Sequence, residues 1–383
     1  MLATSDPAIY LARVSNSDGV YDRAVLPDVV QAGTRVATCD GQIVSISQEA
    51  TDADVERRGC TLLPGFVDLQ VNGAGGRSVD EADPEALDTV AASVWRGGAV
   101  AFLPTLITAP WRDLLQQVRD VAAWCRGWSG QGAEPLGIHV EGPFLTAPGA
   151  HDPEHLIAPT AARVDELLRA AGGTKLLVTL ANAAEGAADA TQQLVAAGAT
   201  VALGHCDRPE GFDDCVAAGA TAVTHLFNVM GRMHHRDPGL ATLALDDERL
   251  TCPVIVDGVH VSRTMVRNAF RLLGPRRMAL VTDAVGAAGM PDGGYKLAGM
   301  DVRAEGGVVR DAMGNLAGSA LTMGEAAARF LDYVPDAGPW TLAQLASANP
   351  ARLIGAGAFG ALRAGGRAAF TLMAPDGTFR AVR

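Results

Sequence analysis

The chain has 383 residues, 48% of them apolar and only 19% charged, with 44 glycines. That length accommodates one large α/β domain with an extensive core and a smaller companion, and the composition excludes a largely disordered protein. A formal charge of −12 argues against non-specific binding to nucleic acid or to an anionic membrane surface, but leaves room for a local anion site such as one built around Arg232, His234, His235 and Arg236.

The six cysteines (Cys39, Cys60, Cys125, Cys206, Cys215, Cys252) form no C-x-x-C pair and are too few for a disulfide framework, so a reducing cytoplasm is the expected compartment. Residues 1–14 lack the basic start and apolar block of a signal peptide, and no apolar run approaches the ~18 residues of a membrane span.

In chain order, residues 1–61 read as short strands: AIYLARV, RAVLPDVVQ, then TRVATC and QIVSIS flanking Asp40-Gly41, a strong hairpin signal. From Leu62 the texture changes to continuous apolar runs, each followed by a helix-length segment. Eight such runs occupy 62–70, 99–106, 136–142, 175–180, 200–205, 222–228, 253–260 and 278–284. Candidate helices between them include Pro84–Arg96, Trp111–Arg126, Ala161–Ala171, Ala188–Ala197 and Arg263–Leu273. Eight strands buried on both faces predict a (β/α)₈ TIM-type barrel over 62–354. Residues 295–323 read as a hairpin excursion, Thr322–Leu331 and Leu342–Ala348 as helices, and the tail as short strands around Asp376-Gly377. A small β-sandwich domain assembled from both termini, 1–61 and 355–383, is therefore expected.

Polar groups gather where such a barrel carries its chemistry, at the carboxyl ends of the strands. His139 and Glu141 close the third run, His205 the fifth, His225 and Asn228 the sixth, Asp257 and His260 the seventh, and Asp283 the eighth. Glu141, His205 and His225 would supply one carboxylate and two imidazoles, a catalytic-metal set with a position left for water. Read singly, Glu141 is equally a loop hydrogen-bonder and either histidine a core residue. Asp283 is either a helix cap or the carboxylate that takes a proton from water and returns it to a leaving amine. Asp68, Gln70 and Asn72 alternate along the first run, and since Gln70 and Asn72 are poor zinc ligands, one metal ion is expected. His139, two residues before Glu141, is expected to support the ligands from behind. Arg236 is either a solvated loop arginine or a phosphate clamp, and His260 either a plain hydrogen-bonder or its partner at the anion.

The ordered segments LLPGFVDLQVNGAGG, HVEGPFL with GAHDPEHL, ALGH, THLFNVM, HHRDPGL, VDGVHV, LVTDA, NLAGSALTM and SANPARLIG resemble those of N-acetylglucosamine-6-phosphate deacetylases, in the amidohydrolase superfamily. The resemblance spans about residues 62–355. It implies a metal-dependent barrel with a β-sandwich, a homodimer, and hydrolysis of the acetamide of a phosphorylated amino sugar. Carried over to this chain, it makes Glu141, His205 and His225 the ligands of one divalent ion, zinc first with iron or another ion as alternatives. Asp283 becomes the acid/base and His151 the group that polarises the acetyl carbonyl. Ala150, Asn228, Val229, Leu316, Ala317 and Gly318 would line the sugar, and Arg236 and His260 would meet the phosphate, from the same or the neighbouring subunit.

The chain departs from the pattern in places. Gln70 and Asn72 stand where some members carry H-x-H, residues 146–149 are short, and Asn182 and Gly231 replace prolines. An unphosphorylated or epimeric N-acetylhexosamine, a cyclic-amide hydrolase and a non-catalytic metal-binding scaffold are the alternative readings.

Overall fold

A computed structural model of the protein describes residues 17–48 and 57–383. The strand expected at AIYLARV lies outside the described residues. Segments from both ends of the described residues meet in one six-stranded sheet. Its order is Phe379–Val382, Phe370–Met373, Arg57–Pro64, Ser17–Val25, Val30–Cys39, Gln42–Gln48. The Asp40-Gly41 hairpin forms with a two-residue loop, Cys39 pairing with Gln42. Both loop residues have positive φ, 50° and 73°, which suits the twist of the flanking strands.

The chain then enters a parallel sheet whose strands run in sequence order: β1 (Phe66–Val71), β2 (Ala99–Ile107), β3 (Ile138–Glu141), β4 (Leu176–Leu180), β5 (Thr200–Leu203) and β6 (Ala222–Val223). A second parallel pair follows, β7 (Cys252–Ile255) and β8 (Met278–Val281). Single parallel bridges link the pair to both edges of the longer sheet, Ala222 with Thr251 and Val71 with Ala284. Residues of β1, β2, β3 and β4 are buried throughout, as the uninterrupted apolar runs required.

The first apolar run divides. Residues 62–64 pair with Leu372, Thr371 and Phe370 in the terminal sheet, while residues 66–71 start the parallel one. The terminal sheet thus extends three residues past the expected boundary at 61. The hinge is Gly65, where a side chain is impossible: a Cβ would lie 2.2 Å from Val100 and 2.7 Å from the carbonyl of Ala369. An apolar run shows that a strand exists but not which sheet it joins.

Helices α1 (Pro84–Arg96), α2 (Trp111–Arg126), α3 (Ala161–Ala171), α4 (Ala187–Ala196), α5 (Phe212–Ala217), α6 (Leu240–Asp246), α7 (Arg263–Arg277) and α8 (Met323–Tyr333) connect and follow the strands. Their starts are written locally: Asp83, Thr160, Ser262 and Thr322 each accept a backbone N–H of the first turn. The excursion before α8 is a four-stranded antiparallel sheet, Gly293–Leu297, Met300–Glu305, Val308–Asp311 and Leu316–Ser319. Its last strand is tied to the segment after β8: the Ser319 N–H donates to the Asp283 carbonyl (2.8 Å) and the Val285 N–H to that of Ser319 (3.0 Å). Leu342–Ala348, expected as one helix, is an α-turn to Ala343 followed by a π-helical turn over Gln344–Ala348.

Asp68 sits within the buried junction of β1 and β8. Its carboxylate accepts the Thr282 hydroxyl (2.5 Å) and N–H (3.2 Å). Burial nevertheless pushes its pKa up to about 7, against the lowering effect of those bonds. Between the ordinary carboxylate value and 7 the folded chain holds a proton that the unfolded chain has lost, so stability falls as pH rises through that window and levels off above it. The full effect is about 4 kcal/mol. Asp68→Asn is expected to flatten the melting temperature between pH 4 and pH 7, and a variant that melts with the same pH dependence as the parent would contradict the assignment.

Candidate metal centre and catalytic site

Glu141 is the last residue of β3, while His205, His225 and Asp283 each lie two residues beyond their strands, β5, β6 and β8. All four are buried. His205, His225 and Asp283 have left-handed backbone, with φ of 48°, 20° and 51°. Such φ is rare and costly away from glycine, of order 1–3 kcal/mol per residue, and is held only where packing over-determines it.

Glu141, His205 and His225 offer ligand atoms that all lie within 4.8 Å of one another. Glu141 Oε1 is 2.9 Å from His225 Nε2 and 3.3 Å from His205 Nε2, and the two Nε2 atoms are 3.1 Å apart. Ligands about 2.0–2.1 Å from a tetrahedral ion stand roughly 3.4 Å from each other, so the three atoms converge as ligands of one ion do. His205 Nδ1 donates to the Ala147 carbonyl (3.1 Å), leaving Nε2 as the lone-pair nitrogen. His225 Nδ1 has no hydrogen-bond partner among the described residues.

The short 146–150 loop thereby gains a purpose. The N–H groups of Thr146 and Ala147 both reach the His205 carbonyl, at 3.2 and 2.9 Å, so the loop clamps His205 from both sides.

His151 lies at the rim of the cluster, its Nε2 3.7 Å from Glu141 Oε2. Its Nδ1 accepts the Thr108 N–H (3.4 Å) and lies 2.8 Å from the Thr108 hydroxyl. With Nδ1 accepting, the neutral ring carries its proton on Nε2, and burial favours that neutral form. A hydrogen-bond donor is thus aimed at the cluster.

Burial alone would push Glu141 upward, but the imidazoles of His151, His205 and His225 packed beside it override that and hold its carboxyl well below the usual range. Burial lowers His225, yet its bond to Glu141 wins and leaves it raised. Asp283 is pushed up to about 6, by burial first and the Glu141 charge second.

The remaining expected residues are distributed as follows. Ala150 and Ala317 pack against one small apolar cluster with Val285 and Ile107. Gly318 (φ 66°) lies beside Asp283, where a Cβ would meet the Asp283 carbonyl at 2.9 Å, and Leu316 begins the same strand. Asn228 donates to the His225 carbonyl (3.1 Å), and Val229 has positive φ (54°). A Cβ on Gly149 would meet Val229 and His205, which places these two together. His260 Nδ1 donates to Asp257 Oδ2 (2.6 Å), and the Asp257 Oδ1 accepts the N–H groups of Val259 and His260. Arg236 is exposed and its side chain has no hydrogen bond or ion pair among the described residues.

His139 departs from expectation. It lies between Thr179 (2.8 Å) and Thr105 (3.5 Å), makes no hydrogen bond to the three candidate ligands among the described residues, and is pushed down by burial to about 4. It is a packed neutral ring of the sheet interior. Gln70, Asn72, Thr108 and Thr224 were missed as site residues. Their one sequence signal was position, polar residues at strand ends in otherwise apolar runs. Two departures from the expected motifs also find reasons. The Asn182 amide ties the Arg208 and Glu210 carbonyls, and Gly231 lets the backbone approach the Asp207 carbonyl, which a Cβ would meet at 2.7 Å.

An amidohydrolase family model matches residues 61–382. The chain belongs to the amidohydrolase family. Within it, the chain is similar to the N-acetylgalactosamine-6-phosphate deacetylase of Escherichia coli O157:H7, at 37% identity over 86% of this chain and 87% of that one. It is likewise similar to the N-acetylglucosamine-6-phosphate deacetylase of Bacillus subtilis, at 30% identity over 82% of each. Among solved structures, the N-acetyl-D-glucosamine-6-phosphate deacetylase of Mycobacterium smegmatis in complex with N-acetyl-D-glucosamine 6-phosphate superposes with a TM-score of 0.88 at 32% identity, covering 95% of this chain and 97% of that one. This amidohydrolase therefore sits with the amino-sugar 6-phosphate deacetylases.

Metal ligands must shed their protons, and the raised His225 makes that competition felt above the ordinary imidazole value. Zinc affinity, measured by chelator competition, is expected to fall at least tenfold between pH 8 and pH 6. His225→Ala is expected to abolish stoichiometric binding, whereas retention of one tight ion by that variant would remove His225 from the site.

Proposed function

We propose that this amidohydrolase removes the acetyl group of N-acetyl-D-glucosamine 6-phosphate, giving glucosamine 6-phosphate and acetate. The observation that carries the reading is the convergence of Glu141, His205 and His225 at one point, with Asp283 joined to Glu141 through a single amide, that of Gln70. The three ligands would hold one divalent ion, with zinc the best match to a carboxylate and two imidazoles. Such an ion supplies Lewis acidity, polarising the acetyl oxygen and easing deprotonation of water.

The chain does the rest. Asp283 accepts a proton from the attacking water while the water oxygen bonds to the acetyl carbon. The His151 Nε2–H donates to the carbonyl oxygen as charge develops there. Asp283 then passes its proton to the sugar nitrogen as the C–N bond breaks, so that acetate and the amine leave. Ala150, Asn228, Val229, Leu316, Ala317 and Gly318 would border the sugar, and His260, held by Asp257, would meet the phosphate. Arg236, exposed and unpaired among the described residues, suits a phosphate contact made across the interface of a homodimer.

The same reading closes the parallel strands into a full (β/α)₈ barrel, supported by the bridges at both edges. The terminal sheet becomes the core of a β-sandwich domain, with the barrel domain between the two terminal segments. Six unpaired thiols favour a reducing cytoplasm, and among the described residues no helix is long and apolar enough to cross a membrane. The galacto epimer is the second reading, favoured by the 37% identity to the Escherichia coli enzyme.

Acetate release from N-acetylhexosamines with and without a 6-phosphate tests the reading. Turnover is expected for the phosphorylated gluco sugar above the galacto and unphosphorylated ones, and the reverse order would transfer the assignment. Asp283→Asn is expected to lower kcat by about 10²–10⁴-fold with one metal ion still bound, whereas a variant that turns over normally would take proton transfer away from Asp283. In Arg236→Ala, KM should rise about tenfold for phosphorylated substrate alone. An equal rise for the unphosphorylated sugar would sink the phosphate role.

A further inference from the structure

Between Glu141 and Asp283 lies an amide whose orientation is fixed. The Gln70 side chain accepts the Thr224 hydroxyl on Oε1 (3.0 Å), so its NH₂ group must face the opposite way. The two N–H bonds of that group go to two different carboxylates, Glu141 Oε1 and Asp283 Oδ1, each at 2.9 Å. The Asn72 amide donates to the same Asp283 oxygen, at 2.7 Å. Gln70, Asn72, Thr224, Glu141 and Asp283 are all buried, none more than 9% exposed. Asp283 Oδ1 is thus doubly occupied, while no hydrogen bond of the described residues reaches Oδ2.

We propose that Gln70 and Asn72 are positioning residues that select Oδ2 of Asp283 as the oxygen that carries the proton, with Thr224 setting the polarity of the Gln70 amide. This rests on the deacetylase reading above, in which Asp283 moves one proton from water to the leaving nitrogen. The selection works by subtraction. An oxygen that already accepts two amide N–H bonds is a weaker base and has no direction left from which to receive a proton, whereas its partner keeps both lone pairs. Gln70 has a second duty that Asn72 lacks, because it also bonds the metal-ligand carboxylate. Two like-charged buried carboxylates repel, and an amide that donates to both fixes their separation with no charge of its own.

That asymmetry makes the proposal testable in the zinc-loaded enzyme, with two readouts. The first is kcat and KM at saturating zinc, and the second is zinc affinity by chelator competition. Asn72→Leu is expected to lower kcat 10–100-fold with KM and zinc affinity within twofold of the parent. Gln70→Leu should lower kcat to a similar degree and also weaken zinc binding 10–100-fold, the usual loss when a ligand's supporting bond is removed. Thr224→Val should reproduce the Gln70→Leu pattern more weakly, and Thr224→Ser, which keeps the hydroxyl, should rescue both readouts.

Parent-like kcat in Asn72→Leu would overturn the proposal, and so would Asn72→Leu and Gln70→Leu losing zinc affinity alike, since that marks a general loosening of the site. Parent-like behaviour of Thr224→Val would overturn the orienting role of Thr224. If the parent releases no acetate from phosphorylated N-acetylhexosamines, the reaction assignment fails instead, while the zinc arm still reports whether Gln70 braces Glu141.

Discussion

The structure depends on keeping two ionisable carboxyl groups, Glu141 and Asp283, out of water. An isolated carboxylate in a protein interior costs several kcal/mol, and it persists only where fixed donors or a cation replace its hydration. Glu141 is surrounded by three imidazoles and one amide, and Asp283 by two amides. These groups come from the end of β1, from the segments just beyond β1, β5 and β6 and from the loop after β3, so the parallel sheet must be assembled before either carboxyl group is satisfied. Fold and site are mutually dependent here. The surroundings explain why the two groups part company: the neighbouring imidazoles hold Glu141 well down, while burial beside that charge pushes Asp283 up to about 6. In the proposed deacetylation these would serve as an ionised ligand and as the carboxyl that exchanges a proton.

The second constraint is directional. A side chain beyond the end of a parallel strand points wherever the backbone turns it, and His205, His225 and Asp283 all turn through left-handed φ. Three such residues around one point cost a few kcal/mol in all, offset by the surrounding apolar core and by clamps such as the 146–150 loop on His205. The last strand of the four-stranded excursion does the same for Asp283 by pairing with its carbonyl. Local strain at the site is thus held in place by ordinary backbone hydrogen bonding nearby.

Much of this was legible in the chain. Uninterrupted apolar runs gave the parallel strands and Asp40-Gly41 the hairpin, because each is determined within a few residues. The convergence of Glu141, His205 and His225 was readable because a metal set restricts residue types and strand ends restrict position. What stayed hidden was partnership. Gln70 lies 71 residues from Glu141 and 213 from Asp283, and nothing local says that its amide will face both. The division of the first run at Gly65 was invisible for a similar reason, since Leu63 and Phe66 look alike until their neighbouring strands are known. His139 misled because a period of two places a residue on a face without saying what fills that face; here it is Thr105 and Thr179.

The most direct test of the central claim, that Glu141, His205 and His225 share one ion opposite Asp283, is anomalous diffraction at the zinc edge from crystals of the zinc-loaded protein. The expected result is a single strong peak per chain, bonded to Glu141 Oε1 and to the Nε2 atoms of both histidines. A peak bound elsewhere, or two peaks with one ligated by Gln70 or Asn72, would contradict it.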